Sequence, residues 1–309
     1  MKIQINISLK EKNWFQTGGN AKFFCSPKDE SEFTKALYSA QKNNLEIFAL
    51  GEGANILISD DGFDGLVIKP KLEKMEILKE EIVEAGAGVK IQDLVDFALN
   101  NNLVGLEEFS GVPGTVGGSV FINIHYFEYF LSDFLIEAKV INKDVGEIFT
   151  VDKSWFNFGY DTSKLHQRKH YLLSAKFKLK KEEPIRAAYA KGRRDEMIRQ
   201  RNRRYPTSHT CGSFFRNFHD DEINFEINGK KMLFTAYYLD KIGIKGELRV
   251  GDAAVSHKHA NMLINLGNST TQEIVELAKE IQKMTFDKFG IIPKPECQLV
   301  GFKKQPLLI

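Results

Sequence analysis

Two glycine clusters are the residues whose types and spacing invite chemistry. In Leu50-Gly51-Glu52-Gly53-Ala54-Asn55-Ile56-Leu57, a strand-like run leads into two glycines separated by one residue. Glycine tolerates backbone conformations that aim consecutive N–H groups at one anion, so the segment fits a phosphate nest; a tight turn has the same appearance. A Rossmann fingerprint needs a further glycine where Ile56 stands and a long helix directly after it, so that reading fails. The second cluster, Ser110-Gly111-Val112-Pro113-Gly114-Thr115-Val116-Gly117-Gly118, packs four glycines and one proline into nine residues. It is expected to be a rigid loop, poor in side chains, against which a flat ring system or a diphosphate can lie. Neither cluster ends in the Gly-Lys-Ser/Thr of a P-loop, so ATP hydrolysis is not indicated.

Other reactive side chains are less telling. His257 and His259 alternate and would share one face of a strand, but no second motif of ligand-spaced Asp, Glu or Cys accompanies them, and no metal site is expected. Cys25, Cys211 and Cys297 are odd in number and lack CxxC spacing, which reads as reduced thiols in a cytosol. Between residues 185 and 205, Arg186, Lys191, Arg193, Arg194, Arg199, Arg201, Arg203 and Arg204 face only Asp195 and Glu196. Such a run is a solvated helix face or a mouth for anionic ligands; no aromatic interleaving supports nucleic acid.

These residues need elements to hold them. Strand-like Ala21–Cys25, a helix over Glu30–Asn43 with Phe33, Ala36, Leu37 and Ala40 on one side, and strand-like Glu46–Leu50 form a βαβ unit. Strands follow at Leu66–Lys69, Met75–Leu78 and Ile82–Ala85, then a helix at Ile91–Asn101 and strands at Ile136–Asn142, Glu147–Val151 and Tyr171–Leu179. A boundary is expected near Lys180–Pro184. Beyond it, the basic helix, a helix at Met232–Ile242, a strand at Met262–Leu266 and a helix opening at Ser269 or Thr270 and running to Phe289 suit a smaller α/β domain.

Composition narrows the class. The chain has 309 residues, 42% hydrophobic and 27% charged, with a net charge of +2. These are the proportions of a globular protein of two or three subdomains with no general attraction to nucleic acid or acidic membrane. No segment approaches the eighteen or more continuous apolar residues of a membrane span, and the amino terminus lacks the apolar run of a secretory signal, so a cytoplasmic protein is expected.

The two glycine clusters, Gly51 and Gly111 lying sixty residues apart, resemble the FAD-binding half of the UDP-N-acetylenolpyruvoylglucosamine reductases. The resemblance extends along most of the chain. Asn13-Trp14-Phe15-Gln16-Thr17-Gly18-Gly19-Asn20-Ala21 is similar to the family's Asn-Thr-x-x-x-Gly-Gly-x-Ala, and Cys211-Gly212-Ser213-Phe214-Phe215-Arg216-Asn217 to its Ala-Gly-Ser-x-Phe-Lys-Asn. Gly243-Ile244-Lys245-Gly246, Gly251-Asp252-Ala253, Ser256-His257-Lys258-His259-Ala260-Asn261 and Pro295-Glu296 resemble its remaining elements in order. The resemblance implies an α+β protein: a vanillyl-alcohol-oxidase/PCMH-type FAD-binding domain over 1–183, made of two α/β subdomains, then a smaller α/β substrate-binding domain over 184–309 whose C-terminal segment returns to the active site. It implies non-covalent FAD held by Gly51, Gly53, Ala54, Asn55, Gly111, Gly114, Thr115, Gly117 and Gly118, NADPH as reductant, and UDP-N-acetylglucosamine enolpyruvate as the molecule reduced to UDP-N-acetylmuramate. It further implies Ser213 as proton donor and Glu296 as a carboxyl group that shares a proton or orients the substrate, with Tyr160, Arg216, Asn217, Lys245 and His259 as substrate contacts. A monomer without nucleic-acid or membrane partners is expected.

The departures cluster at the chemistry. The family places an arginine after Gly-Tyr to polarise the substrate carboxylate; here Gly159-Tyr160 is followed by Asp161. At about 4 Å and an effective dielectric of about 20, reversing that charge moves the interaction by several kcal/mol in the wrong direction. Arg168 and Arg216 are the cations open to the role. Asn123-Ile124-His125-Tyr126-Phe127 replaces the family's Asn-Ala-Gly-Ala, giving a bulkier wall beside the expected flavin, and Phe218 stands where a proline is usual. Covalent attachment through His125 is not expected. A same-fold flavoprotein with another substrate, and a non-catalytic flavin- or UDP-sugar-binding protein, remain as alternatives.

Overall fold

The computed structural model describes residues 1–308. Its contacts divide the chain into two compact units: Met1–Ile5, Phe23–Glu52 and Gly65–Arg201 form one, and Asn6–Lys22, Gly53–Asp64 and Asn202–Ile309 the other. The α-helices among the described residues are α1 (Glu30–Lys42), α2 (Ile91–Asn100), α3 (Val116–Ile122), α4 (Pro184–Arg204), α5 (Thr235–Ile242) and α6 (Thr271–Phe289).

The first unit centres on an antiparallel sheet of five strands in the order Ile148–Asp152, Leu135–Asn142, His170–Lys178, Ile82–Gly86, Met75–Lys79. Val83, Ala85, Val140, Ala175 and Phe177 of this sheet join Leu94 and Val95 of α2 and Val116 and Val120 of α3 in one core. A second core lies around α1, whose Phe33, Ala36, Leu37 and Ala40 are buried. Asp29 caps α1 by accepting the Glu32 amide at 2.8 Å, as an N-terminal carboxylate should. Glu46–Ala49 runs parallel to Phe63–Ile68, so a strand intervenes inside the expected βαβ unit.

The basic helix α4 buries only Ala187 and Ala190. Arg193 is ion-paired with Glu108, and Arg194 donates to Asp96 at 2.8 Å, so part of its charge is spent on anchoring the helix.

The second unit is built on α5, α6, an antiparallel sheet of Arg249–Val250, Ala253–Val255 and Leu263–Asn265, and a parallel pair formed by Ile56–Ile58 and Gln298–Val300. Thr270 and Glu273 make a reciprocal capping box at the start of α6, and Gly290, at φ 70°, ends it. Ile274, Leu277, Ala278 and Ile281 of α6 are fully buried with Phe15, Phe214, Phe215 and Leu239. Each large apolar side chain buried there contributes about 1.5–3 kcal/mol.

Two expectations need correction. The second glycine cluster is not loop throughout: α3 begins at Val116 and takes in Gly117 and Gly118, because Thr115 supplies a cap by accepting the Gly118 amide at 3.2 Å. The helix expected from Met232 starts at Thr235; Lys230–Lys231 pairs instead with Glu226–Ile227 as a short hairpin.

Candidate active site

Gly51 of the first glycine cluster meets the second cluster within the first unit. A methyl group on Gly51 would stand 2.6 Å from Thr115 Oγ1, so only glycine permits this approach of the two loops. Ile91 donates its amide to Gly114 O at 2.9 Å and Val116 its own to Val89 O at 2.8 Å, which stitches the second cluster to the start of α2. Gly117 is pinned likewise: its amide donates to Ala87 O at 2.9 Å, and an added methyl would meet that oxygen at 3.0 Å. Gly111 donates to Gln92 Oε1 at 2.8 Å and packs against the Arg201 side chain. The amides of Gly117 and Gly111 are therefore spent inside the protein. Gly114, at φ 140°, and Gly118, exposed at the surface of α3, keep an open face.

Gly53 belongs to the second unit. At φ 70°, with Asn13 Cα 2.6 Å from where a methyl would stand, it accepts the Trp14 amide at 3.0 Å. The next two residues, Ala54 and Asn55, complete the turn before Ile56. Among the described residues, the amides of Gly53, Ala54 and Asn55 have no backbone acceptor, so they are available to an anion.

Two buried polar atoms of the first unit, Ser110 Oγ and Ser119 Oγ, are orphaned at the second cluster. A buried polar group without a partner costs about 1–3 kcal/mol. A ligand rich in hydroxyl, carbonyl and phosphate oxygens would satisfy them, and the glycine faces leave space for its flat portion. The residues present therefore fit FAD.

Within the second unit, Ser213 lies on a turn after Gly212, which adopts φ 80°. Phe215 bridges Pro295, the Glu296 amide donates to Phe214 O at 2.8 Å, and the Arg216 amide to Lys294 O at 3.0 Å. The segments bearing Ser213 and Glu296 are thus bonded to each other, although they are remote in sequence. Asn261, 3% exposed, clamps this pairing. Its Nδ2 donates to Phe215 O at 2.6 Å, its Oδ1 accepts the Phe215 amide at 3.0 Å, and its carbonyl accepts the Phe214 amide at 2.8 Å. Sequence reasoning passed over Asn261 as a functional residue; its place at the end of Ser256–Asn261 was the available signal.

The expected substrate contacts have diverse surroundings. Arg216 makes a two-pronged ion pair with Glu222 at 2.7 and 2.8 Å, and this guanidinium holds the Glu222 carboxyl well below the usual carboxylate range. Asn217 Oδ1 accepts the Thr235 amide at 3.2 Å. His259 packs edge-on to Tyr205; burial pushes its pKa down, and its Nδ1 accepts the Asn261 amide at 3.2 Å. Lys245 lies exposed on the turn after α5, close enough for its charge to act on His259. In the first unit, Tyr160 stacks obliquely on His125, with centroids 4.4 Å apart, and Asp161 lies against the same imidazole. Burial of Cys211 raises its thiol pKa, as it does for Cys25, pushed up to about 12. Among the described residues no cluster of His, Cys, Asp and Glu is fit to hold a metal ion, and no helix is long and apolar enough to cross a membrane.

A twin-glycine, FAD-compatible domain joined to a unit carrying a Ser–Glu pairing defines a class of flavoprotein. In agreement, the profile of an FAD binding domain matches residues 21–152, and that of the UDP-N-acetylenolpyruvoylglucosamine reductase C-terminal domain matches residues 204–300. The chain is 32% identical over 308 residues to UDP-N-acetylenolpyruvoylglucosamine reductase from Caldicellulosiruptor saccharolyticus, covering 97% of this chain and 92% of that one. It is 34% identical to the enzyme of the same name from Chloroherpeton thalassium, covering 97% and 94%. Its fold is similar to the crystal structure of UDP-N-acetylenolpyruvylglucosamine reductase from Thermus caldophilus, with a TM-score of 0.79, 25% identity, and 97% and 99% of the two chains covered. The chain belongs to the UDP-N-acetylenolpyruvoylglucosamine reductase family.

Proposed function

We propose that this protein reduces UDP-N-acetylglucosamine enolpyruvate to UDP-N-acetylmuramate, with FAD as bound cofactor and NADPH as reductant. The chemistry that FAD supplies when bound is hydride transfer, from NADPH and then to the enolpyruvyl double bond. Flavin binding falls to 1–183, through Gly51, Gly111, Gly114, Thr115, Gly117 and Gly118, supplemented by the amides of Gly53, Ala54 and Asn55. Gly117 serves by its backbone shape, since its amide is already bonded. Substrate binding falls chiefly to 184–309, where Lys245 and His259 face the diphosphate or uridine and Arg216 and Asn217 hold the Ser213 turn in shape.

Hydride addition leaves an enolate-like charge on the substrate carboxylate, and the adjacent carbon then needs a proton. Ser213 Oγ donates it. Glu296 orients the substrate carboxyl or shares a proton with it. The observation that carries this reading is the bonded pairing of the Ser213 and Glu296 segments, clamped by Asn261, in a chain that matches reductases over nearly its whole length.

Ser213→Ala separates the two half-reactions. NADPH should still bleach the flavin, while reoxidation by UDP-N-acetylglucosamine enolpyruvate should slow by about 100-fold or more, as expected on loss of a positioned proton donor. Equal reoxidation rates in the variant and the parent would refute the role.

A further inference from the structure

One carboxylate straps together the two segments that carry Ser213 and Glu296. Glu222 Oε2 accepts from Arg216 Nη1 at 2.7 Å and from the His219 amide at 2.8 Å. Its Oε1 accepts from Arg216 Nη2 at 2.8 Å and lies 3.2 Å from Lys294 Nζ. These four contacts use the whole acceptor capacity of a carboxylate, which makes the group a strut rather than a base or a ligand awaiting a partner. Arg216 follows Ser213 by three residues, and Lys294 precedes Glu296 by two. Glu222 therefore grips both sides of the pairing in which the Arg216 amide donates to Lys294 O and the Glu296 amide to Phe214 O.

The local fold fixes where this strut stands. Asp220–Glu222 form a single tight helical turn, and the next residue, Ile223, is buried against Phe218 and Tyr238. On the other side, the buried Thr235 donates its hydroxyl to Arg216 O and its amide to Asn217 Oδ1. The Glu222 and Arg216 side chains are 21% and 20% exposed, so solvent screens their attraction less than that of a surface pair. Asn261 braces the pairing at Phe214 and Phe215; Glu222 braces it one residue further out, at Arg216 and Lys294. All of these residues lie in the second unit.

We propose that Glu222 is a positioning residue for the reoxidation half-reaction: it holds the Ser213 hydroxyl and the Glu296 carboxyl in the mutual geometry that proton delivery needs, without touching the substrate. The inference rests on the roles assigned above to Ser213 and Glu296. A proton donor displaced by about 1 Å loses about 100-fold in rate, so a strut three residues away acts on the chemistry without taking part in it.

The test compares two half-reactions in one sample of holoprotein, each followed by stopped-flow flavin absorbance. In Glu222→Gln an amide nitrogen replaces one oxygen and faces donors, so half of the grip is lost. Reduction by NADPH should stay within about twofold of the parent, while the limiting rate of reoxidation by UDP-N-acetylglucosamine enolpyruvate falls about 10- to 100-fold. The half-saturating substrate concentration should not rise, because the variant uncovers positive charge and the substrate is anionic. Lys294→Met cuts only the reach to the Glu296 side: reoxidation should slow about threefold or more with reduction unchanged, and this variant decides the question if Glu222→Gln does not fold. A role in stability alone would slow neither half-reaction in the folded, flavin-loaded fraction. Reoxidation at the parent's limiting rate in either folded variant, or an equal slowing of both half-reactions, would overturn the inference and leave the assigned reaction standing. A raised half-saturating concentration with an unchanged limiting rate would overturn it too, by making Glu222 a substrate contact. A parent whose reduced flavin ignores UDP-N-acetylglucosamine enolpyruvate would overturn the assigned reaction and this inference with it.

Discussion

Replacing Gly118 by alanine separates what the protein needs for its own fold from what it needs for its cofactor. Gly118 is in the first turn of α3 and exposed, without positive φ, and a methyl there would meet only Thr115 Oγ1, at an ordinary 3.6 Å. Glycine in a helix costs up to about 1 kcal/mol relative to alanine, and near a helix end about half of that. Gly118→Ala should therefore raise the stability of the apoprotein by about 0.5 kcal/mol, about 1 °C in melting temperature for a chain of this size. If FAD lies against this face, the same methyl occupies the contact distance, and flavin affinity should drop at least about tenfold, or 1.4 kcal/mol. Melting of the apoprotein by circular dichroism and titration with FAD by fluorescence quenching measure the two quantities. Opposite signs are expected. Unchanged FAD affinity, or a less stable apoprotein, would refute the placement. The adjacent Gly117→Ala should destabilise the protein even without flavin, because its methyl would press on Ala87 O at 3.0 Å.

Other outcomes follow from the same geometry. Asn261→Ala strands the buried amide and carbonyl of Phe215, at about 1–3 kcal/mol each, so urea denaturation should show a loss of about 2–5 kcal/mol, with turnover reduced because Ser213 lies two residues away; parent-like values of both would contradict the clamp. Asp161→Arg should strengthen binding of UDP-N-acetylmuramate, by several kcal/mol at most in a calorimetric titration, whereas a loss of affinity would mean that the site is rebuilt around the aspartate. His259 and Glu222 both have pKa values lowered in the fold from 6.5 and 4.5, so the unfolded chain binds more protons below those values. Their contribution to stability is full above pH 6.5 and should be lost stepwise on acidification, first through His259 and then, below pH 4.5, through Glu222. Urea midpoints measured from pH 8 to pH 4 that rise on acidification would contradict this.

Elements set by local pattern were legible in the sequence. The buried stripe Phe33, Ala36, Leu37, Ala40 and the Thr270–Glu273 capping box each identify a helix through neighbours a few residues away, and α1 and α6 match the expected helices to within a residue or so. Helix α3 was hidden because Gly117 and Gly118 have the poorest helix propensity short of proline, and only the Thr115 cap and the tertiary bonds to Ala87 and Val89 overcome it. The grouping of Asn6–Lys22 and Gly53–Asp64 with the C-terminal half depends on non-local contacts such as Thr271 Oγ1 to Ile58 O, at 2.6 Å, which no periodicity encodes. At the site, Asp161 and His125 each stood out as departures, but their pairing joins residues 36 positions apart and had no sequence signal. Arg216, open on paper to the missing cationic role, is engaged by Glu222, an acid six residues on whose position only the folded turn reveals.

The most direct measurement is anaerobic reduction of the purified flavoprotein with NADPH, followed by addition of UDP-N-acetylglucosamine enolpyruvate while the flavin absorbance is recorded. The oxidised flavin spectrum should return rapidly, with one equivalent of UDP-N-acetylmuramate formed per flavin reoxidised. A flavin that stays reduced in the presence of that substrate would contradict the assigned reaction.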